Sequence, residues 1–163
     1  MPSLIWSCLA LAGGGDILKY VGDAVIAIFP VTGDDPTPAC GSALTAAKTA
    51  LATLQAASQE IQQNISIDIA LHYGDAVYGN IGSGNRLDFT AVGRDVNILG
   101  RLELLCKDVG RPLLMTDTFA VEVAAPVIEI GHFELLGFRR HQAVYALCQE
   151  GEQPCRPESS SAI

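Results

Sequence analysis

Two predicted strands lead directly into a predicted helix in residues 76–107, AVYGNIGSGNRLDFTAVGRDVNILGRLELLCK. The strand runs are separated by the polar tip at 83–86, a pattern typical of a hairpin. In the segment that follows, Asn97 and Arg101 stand four residues apart, so a helix would place them on one face. Asp95 is the predicted helix cap. This stretch therefore predicts a hairpin followed by a mostly apolar helix that presents an amide beside a guanidinium.

The upstream half of the chain predicts a second hairpin and a long helix. β-Rich runs at 17–21 and 24–29 flank Gly22 and Asp23, which suit a tight two-residue turn. An Ala-rich segment over 38–63 predicts a helix capped by Asp35 or Thr37, with a buried stripe. The members of that stripe are Leu44, Ala47, Leu51, Leu54 and Ile61. Strict alternation in ISIDIALHYG, residues 65–74, predicts a half-buried strand with its isoleucines on the core side.

The downstream half predicts a short strand at 112–116, a short helix begun by Asp117, and two strands around Gly137. Hairpins and helices interleaved in this way predict an α+β sandwich, with helices packed on a mixed, mostly antiparallel sheet. We expect one domain over residues 1–149, and a disordered tail over 150–163 that is rich in Pro, Ser and Glu.

The charge and the cysteines narrow the function classes. A net charge of −8 argues against a broad nucleic-acid or acidic-membrane surface, so no nucleic-acid partner and no membrane contact are expected of this segment. The five cysteines show no metal-ligand spacing and predict reduced, mostly buried thiols in a cytoplasmic protein. The apolar start is shorter than the ~20 residues that span a bilayer. His72, His132 and His141 show no ligand spacing and are predicted to be structural or exposed.

Three stretches together resemble the class III adenylate/guanylate cyclase catalytic domain of bacterial type. They are GGDILKYVGDAVIAIFP at 14–30, the run from ALHYG to PLLMT at 70–116, and FELLGFRRHQAVYAL at 133–147. The resemblance implies a ferredoxin-like sandwich that converts ATP to 3′,5′-cyclic AMP and pyrophosphate for intracellular signalling. It also implies two divalent cations, Mg²⁺ or Mn²⁺, as cofactors.

The same resemblance assigns roles to five residues. Asp23 resembles a metal-ligating aspartate, and Lys19 with Thr90 resembles the pair that reads adenine. Asn97 resembles the residue that orients the ribose, and Arg101 the one that stabilises the α-phosphate. Taken without the resemblance, these residues also fit a Gly-Asp turn, an edge-strand lysine, a strand threonine and a helix-surface pair.

In this family the site is built across a head-to-tail homodimer, in which Asp23 of one chain faces the other four residues of its partner. Two departures affect the expectation. The family's opening strand and first helices, with the other metal-binding aspartate, have no counterpart at the start of this sequence, while regulatory or membrane domains upstream remain open. Leu136 stands where a phosphate-binding lysine is common, with Arg139 or Arg140 as substitutes. The alternative is a degenerate cyclase-fold module that binds nucleotide or a partner and regulates without turnover.

Overall fold

The computed structural model describes residues 14–21, 24–83, 86–135, 141–155 and 157. The chain divides into two compact units, one of residues 1–65 with 75–96 and one of residues 66–74 with 97–163. In chain order, the described residues form β1 (Asp16–Val21), β2 (Ala24–Ile28), α1 (Thr37–Ile61), β3 (Ile69–Leu71), β4 (Val77–Ser83), β5 (Arg86–Val92), α2 (Arg94–Val109), β6 (Leu113–Thr116), α3 (Asp117–Ala120), β7 (Val127–Phe133) and β8 (Gln142–Leu147). This mixture of sheets and helices confirms the predicted α+β class.

The first unit contains two antiparallel hairpins. β1 pairs with β2, and β4 pairs with β5 in an unbroken register from Val77↔Val92 to Ser83↔Arg86. β1 also contacts β5, so the two hairpins are neighbours. Both hairpins were predicted, and the residues at their turns, 22–23 and 84–85, lie outside the described part of the chain.

Helix α1 follows the first hairpin. The backbone N–H of Thr37 donates to Asp35 Oδ1 at 3.0 Å, so Asp35 supplies the side-chain acceptor that the sequence predicted at this end. The predicted stripe is confirmed at Leu44 and Ala47, which are buried, and is wrong at Ile61, which is half exposed on the last turn. Helix ends fray from the packed surface, so periodicity alone overstates burial there.

The second unit is built on a four-stranded sheet in the order β3-β6-β8-β7. β3 and β6 are parallel, and the other two pairs are antiparallel. Helix α2 covers one face of this sheet through Leu102 and Cys106, which pack with Leu114 of β6 and Val144 and Ala146 of β8. All five are almost fully excluded from solvent, so this helix–sheet contact is the core of the unit.

The predicted strand over residues 65–74 is wrong in length, and the three residues of β3 are all partly buried. β3 has three residues, because its partner β6 begins only after Pro112 and pairs with Ile69, Ala70 and Leu71 alone. Ala70 packs against the core under α2. A small residue at this position lets the helix approach the sheet closely.

Residues 150–155, at the start of the predicted disordered tail, contact the rest of the second unit. Cys155 forms a bridge with Val127, where its N–H donates to the Val127 carbonyl at 2.8 Å. The Glu152 carboxylate pairs with Arg111, directly after α2, and accepts from the Gln149 N–H at 2.8 Å. A backbone ladder and an ion pair therefore hold this segment without an apolar core of its own. No helix in the described residues is long and apolar enough to cross a bilayer.

Candidate functional site

Lys19 lies at an irregularity of β1. Ile17 pairs with Ala27 and Lys19 with Ile26, so Leu18 is an extra residue in the ladder. Leu18 is buried, while Lys19 is half-buried. A bulge of this kind turns the following side chain to the other face of the strand, and bulges are frequent beside active sites.

Thr90 lies on β5, directly opposite Gly79 of β4. A Cβ built at Gly79 would meet no atom within 4 Å. Because β1 contacts β5, the strands that carry Lys19 and Thr90 are neighbours in the first unit. The structure thus brings together the two strands from which the predicted base-reading pair comes.

Asp23 lies outside the described residues, between Val21 and Ala24, which pair across the hairpin. Asp16 pairs with Ile28 at the opposite end of this hairpin, about 17 Å of strand away from Val21. Across the described ranges, no three His, Cys, Asp or Glu side chains group to hold a metal ion. These residues alone therefore do not fit a two-cation site.

Asn97 and Arg101 lie on consecutive turns of α2, as predicted. Ile98, Leu102 and Cys106 form the buried stripe of this helix, and the polar pair precedes that stripe by one residue, about 100° around the axis. Asn97 is exposed, whereas Arg101 is partly buried with its Nη1 atom inside. The helix therefore holds the guanidinium at the rim of its packed face and presents the amide to solvent.

Asp95 does not cap α2 as predicted. It lies inside the first turn, and its Oδ2 accepts a hydrogen bond from the Asp75 N–H at 2.8 Å. At Gly93, just before the helix, an added Cβ would lie 3.4 Å from the Asp75 carbonyl oxygen. The loop before β4 and the start of α2 are thus joined by close packing and a charge-assisted hydrogen bond. Sequence spacing gave no signal for this contact, because twenty residues separate its partners.

A polar network at the ends of β3 and β6, which joins the partly buried His72 to the buried Thr116 and the exposed Thr118, was also missed. His72 Nδ1 lies 2.9 Å from Thr116 Oγ1, which lies 3.0 Å from Thr118 Oγ1. The Thr118 hydroxyl donates to the Tyr73 carbonyl at 2.8 Å. Thr116 is fully buried, and the Nε2 atom of His72 is buried as well. His72 is the residue after β3 and Thr116 is the last residue of β6, so the parallel pairing of these strands brings them together.

Leu136, Arg139 and Arg140 lie outside the described residues, so the predicted substitution at the phosphate-binding lysine stays a prediction.

Comparisons with known proteins find cyclases both among the curated relatives and among the solved structures. No family model matches the chain. An adenylate cyclase of Anabaena cylindrica is 34% identical over 121 residues, which are 69% of this chain and 23% of that protein. This chain thus spans less than a quarter of that curated relative.

Two solved structures illustrate the fold. The adenylyl cyclase CyaB from P. aeruginosa has a TM-score of 0.79 and 22% identity, over 97% of this chain and 82% of that chain. The guanylate cyclase domain of RhGC from Catenaria anguillulae, in complex with GTP, has a TM-score of 0.73 and 17% identity, over 90% of this chain and 79% of that chain.

Proposed function

Because the chain belongs to the class III adenylate/guanylate cyclase catalytic-domain family, we propose that it converts ATP to 3′,5′-cyclic AMP and pyrophosphate. The observation that carries the proposal is the polar pair of α2, an exposed Asn97 one turn before a partly buried Arg101. We propose ATP and not GTP as the substrate on two grounds. One is the Lys19 and Thr90 pair, and the other is the Anabaena relative named adenylate cyclase. The setting we propose is intracellular signalling in the cytoplasm.

The chemistry needs orientation and charge stabilisation. The ribose 3′-oxygen attacks the α-phosphorus, the new O–P bond closes the ring, and the bond to the bridging oxygen breaks as pyrophosphate leaves. Asn97 would orient the ribose, and Arg101 would stabilise negative charge on the α-phosphoryl oxygens. Because a guanidinium stays charged at all physiological pH values and presents a planar fork, it suits this second role.

Lys19 and Thr90 would read the base. An amine donates and a hydroxyl donates or accepts, so together they can match the edge of adenine.

Divalent cations, when bound, would neutralise triphosphate charge, and Asp23 is the residue we propose as their ligand. No step is assigned to them, since the described acidic residues do not complete a two-cation site.

We further propose a head-to-tail homodimer in which Asp23 of one chain and Arg101 of its partner serve the same nucleotide. The test is to mix the inactive Asp23→Ala and Arg101→Ala variants. If sites are shared, one of the two sites in a mixed dimer is intact, and part of the activity returns. If every site lies within one chain, the mixture stays as inactive as its components.

Product analysis tests the activity itself. The chain is incubated with ATP or GTP and Mn²⁺, and cyclic nucleotide and pyrophosphate are measured by liquid chromatography with mass spectrometry. We expect both products from ATP, in equal amounts, and a lower rate from GTP. Binding of ATP without products would instead favour the regulatory module that does not turn over, and equal rates with both nucleotides would contradict the base preference.

A further inference from the structure

The His72 network defines the protonation of its imidazole. Thr118 has one hydroxyl proton, which it donates to the Tyr73 carbonyl. The 3.0 Å contact between the two threonines then requires Thr116 to donate to Thr118. With its own proton used, Thr116 must accept from His72, so the hydrogen-bond network assigns a proton to Nδ1. The result is a directional network from the imidazole through the Thr116 hydroxyl to Thr118 and the Tyr73 carbonyl, in which Thr118 Oγ1 also lies 3.4 Å from His72 Nδ1.

This network lies on the face of the sheet that α2 covers. Ala70 and Leu114 pack against Leu102 and Cys106 of the helix. Residues two apart along a strand share a face. His72 and Thr116 come two residues after Ala70 and Leu114 respectively, and their 2.9 Å contact agrees with a shared face.

Measured along the axis of α2, the His72 network lies at about the same position as Arg101 of the polar pair. Cys106 Sγ is 3.7 Å from the Ile69 carbonyl oxygen, which aligns the later part of α2 with the start of β3. The short connection from Val109 to Leu113 reverses the chain, so α2 runs back towards the strand ends. Arg101 lies about 7.5 Å along the helix from Cys106, and His72 lies about 10 Å along the chain from Ile69. The two residues are therefore at nearly the same height.

We infer that His72 is a positioning residue of the active site: held by Thr116 and Thr118, it forms the floor beneath the turns of α2 that carry Asn97 and Arg101. The inference rests on the proposed cyclase function. Arg101 must meet charge that develops in the transition state, and a displacement of about 1 Å at such a group can lower the rate ~100-fold. Hydrogen bonds from the partly buried His72 to the fully buried Thr116, and on to the exposed Thr118, fix the imidazole and oppose such a displacement.

The activity test uses three variants and one control. His72→Leu removes the donor to Thr116, and Thr116→Val removes the acceptor. His72→Asn places an amide N–H close to the Nδ1 position and keeps the donor. His132→Asn is the control, because His132 is exposed on β7. We expect His72→Leu and Thr116→Val to lower kcat about ten- to 100-fold with KM for ATP changed less than about threefold. His72→Asn should recover most of kcat, and the control should equal the wild type.

A second readout does not need activity. Long-range ¹H–¹⁵N correlation spectra of ¹⁵N-histidine-labelled protein report which ring nitrogen carries the proton, and the His72 signals are those missing in His72→Asn. We expect protonation at Nδ1 in the wild type and its loss in Thr116→Val. Protonation at Nε2 alone in the neutral wild-type ring would overturn the network, and a His72→Leu variant with wild-type kcat would overturn the positioning role. Absence of turnover in the wild type would contradict the proposed function, and the positioning role with it, while the spectra still decide the network.

Discussion

Replacing Leu102 with alanine tests the helix–sheet contact that supports the candidate site. Leu102 is 0% exposed and packs with Cys106, Leu114, Val144 and Ala146. Removing about three carbons costs ~2.4 kcal/mol of transfer free energy at ~0.8 kcal/mol per carbon. Small neighbours such as Ala146 cannot fill the space, and a residual cavity of ~50 Å³ adds ~1.2 kcal/mol. We therefore expect the free energy of unfolding to fall by about 3–4 kcal/mol.

The assay is urea unfolding followed by circular dichroism, with Leu104→Ala as the matched control. Leu104 lies on the same helix and is 63% exposed, so its truncation should change stability by no more than about 0.5 kcal/mol. Equal losses in the two variants, or a loss below about 1 kcal/mol at Leu102, would refute the packing of α2 on this sheet.

Three further predictions concern the surroundings of the site. Asp95→Ala should lower Tm by about 3 °C, since a charge-assisted hydrogen bond and a favourable helix-dipole contact are lost, and Asp95→Asn should lower it less; differential scanning calorimetry measures both. The pKa of Glu152 lies below its ordinary 4.5, because its carboxylate accepts hydrogen bonds from the Gln149 backbone and the Arg111 side chain. Its stabilisation is therefore complete above pH 4.5 and lost as the pH falls through the lowered value, so the Tm difference between the wild type and Glu152→Gln should be constant from pH 5 to 8 and shrink in more acidic solution. Burial raises the pKa of Cys106 to about 12, so iodoacetamide at pH 8 should leave it unlabelled in peptide mass spectra until the protein is denatured.

Each of these has a clear contrary result. Equal melting temperatures for Asp95→Ala and the wild type would show that the hydrogen bond from the Asp75 N–H to Asp95 does not stabilise the protein. A Tm difference between the wild type and Glu152→Gln that grows as the solution becomes acidic would contradict the lowered pKa of Glu152. Labelling of Cys106 in native protein, at the rate seen for the half-buried Cys155, would contradict the burial of the Cys106 thiol.

The sequence predicted local elements well because their signals are local. The hairpins around 22–23 and 84–85, helix α2 and strand β6 follow from apolar periodicity and turn residues, and all of them are present. Asn97 and Arg101 share one face of α2, because four residues make about one turn of a helix. The burial of Leu102, next in the chain, follows from the same periodicity.

The sequence failed where a long-range partner decides the outcome. β3 is short because β6, more than forty residues later, pairs with only Ile69 to Leu71. The contacts of Glu152 with Arg111 and of Cys155 with Val127 join residues far apart in the sequence. The sequence predicts Asp95 as a cap and His72 as structural or exposed, but it does not identify their partners Asp75 and Thr116, which are distant in sequence.

The rate of cyclic AMP formation by Arg101→Ala tests the central claim most directly. It is measured with ATP and Mn²⁺ beside wild type and the exposed-face control Leu104→Ala. Loss of a charged donor to the α-phosphate should lower kcat by about 100- to 1,000-fold while the control keeps its activity. An Arg101→Ala variant that forms cyclic AMP at the wild-type rate would contradict the assignment of this helix to the nucleotide.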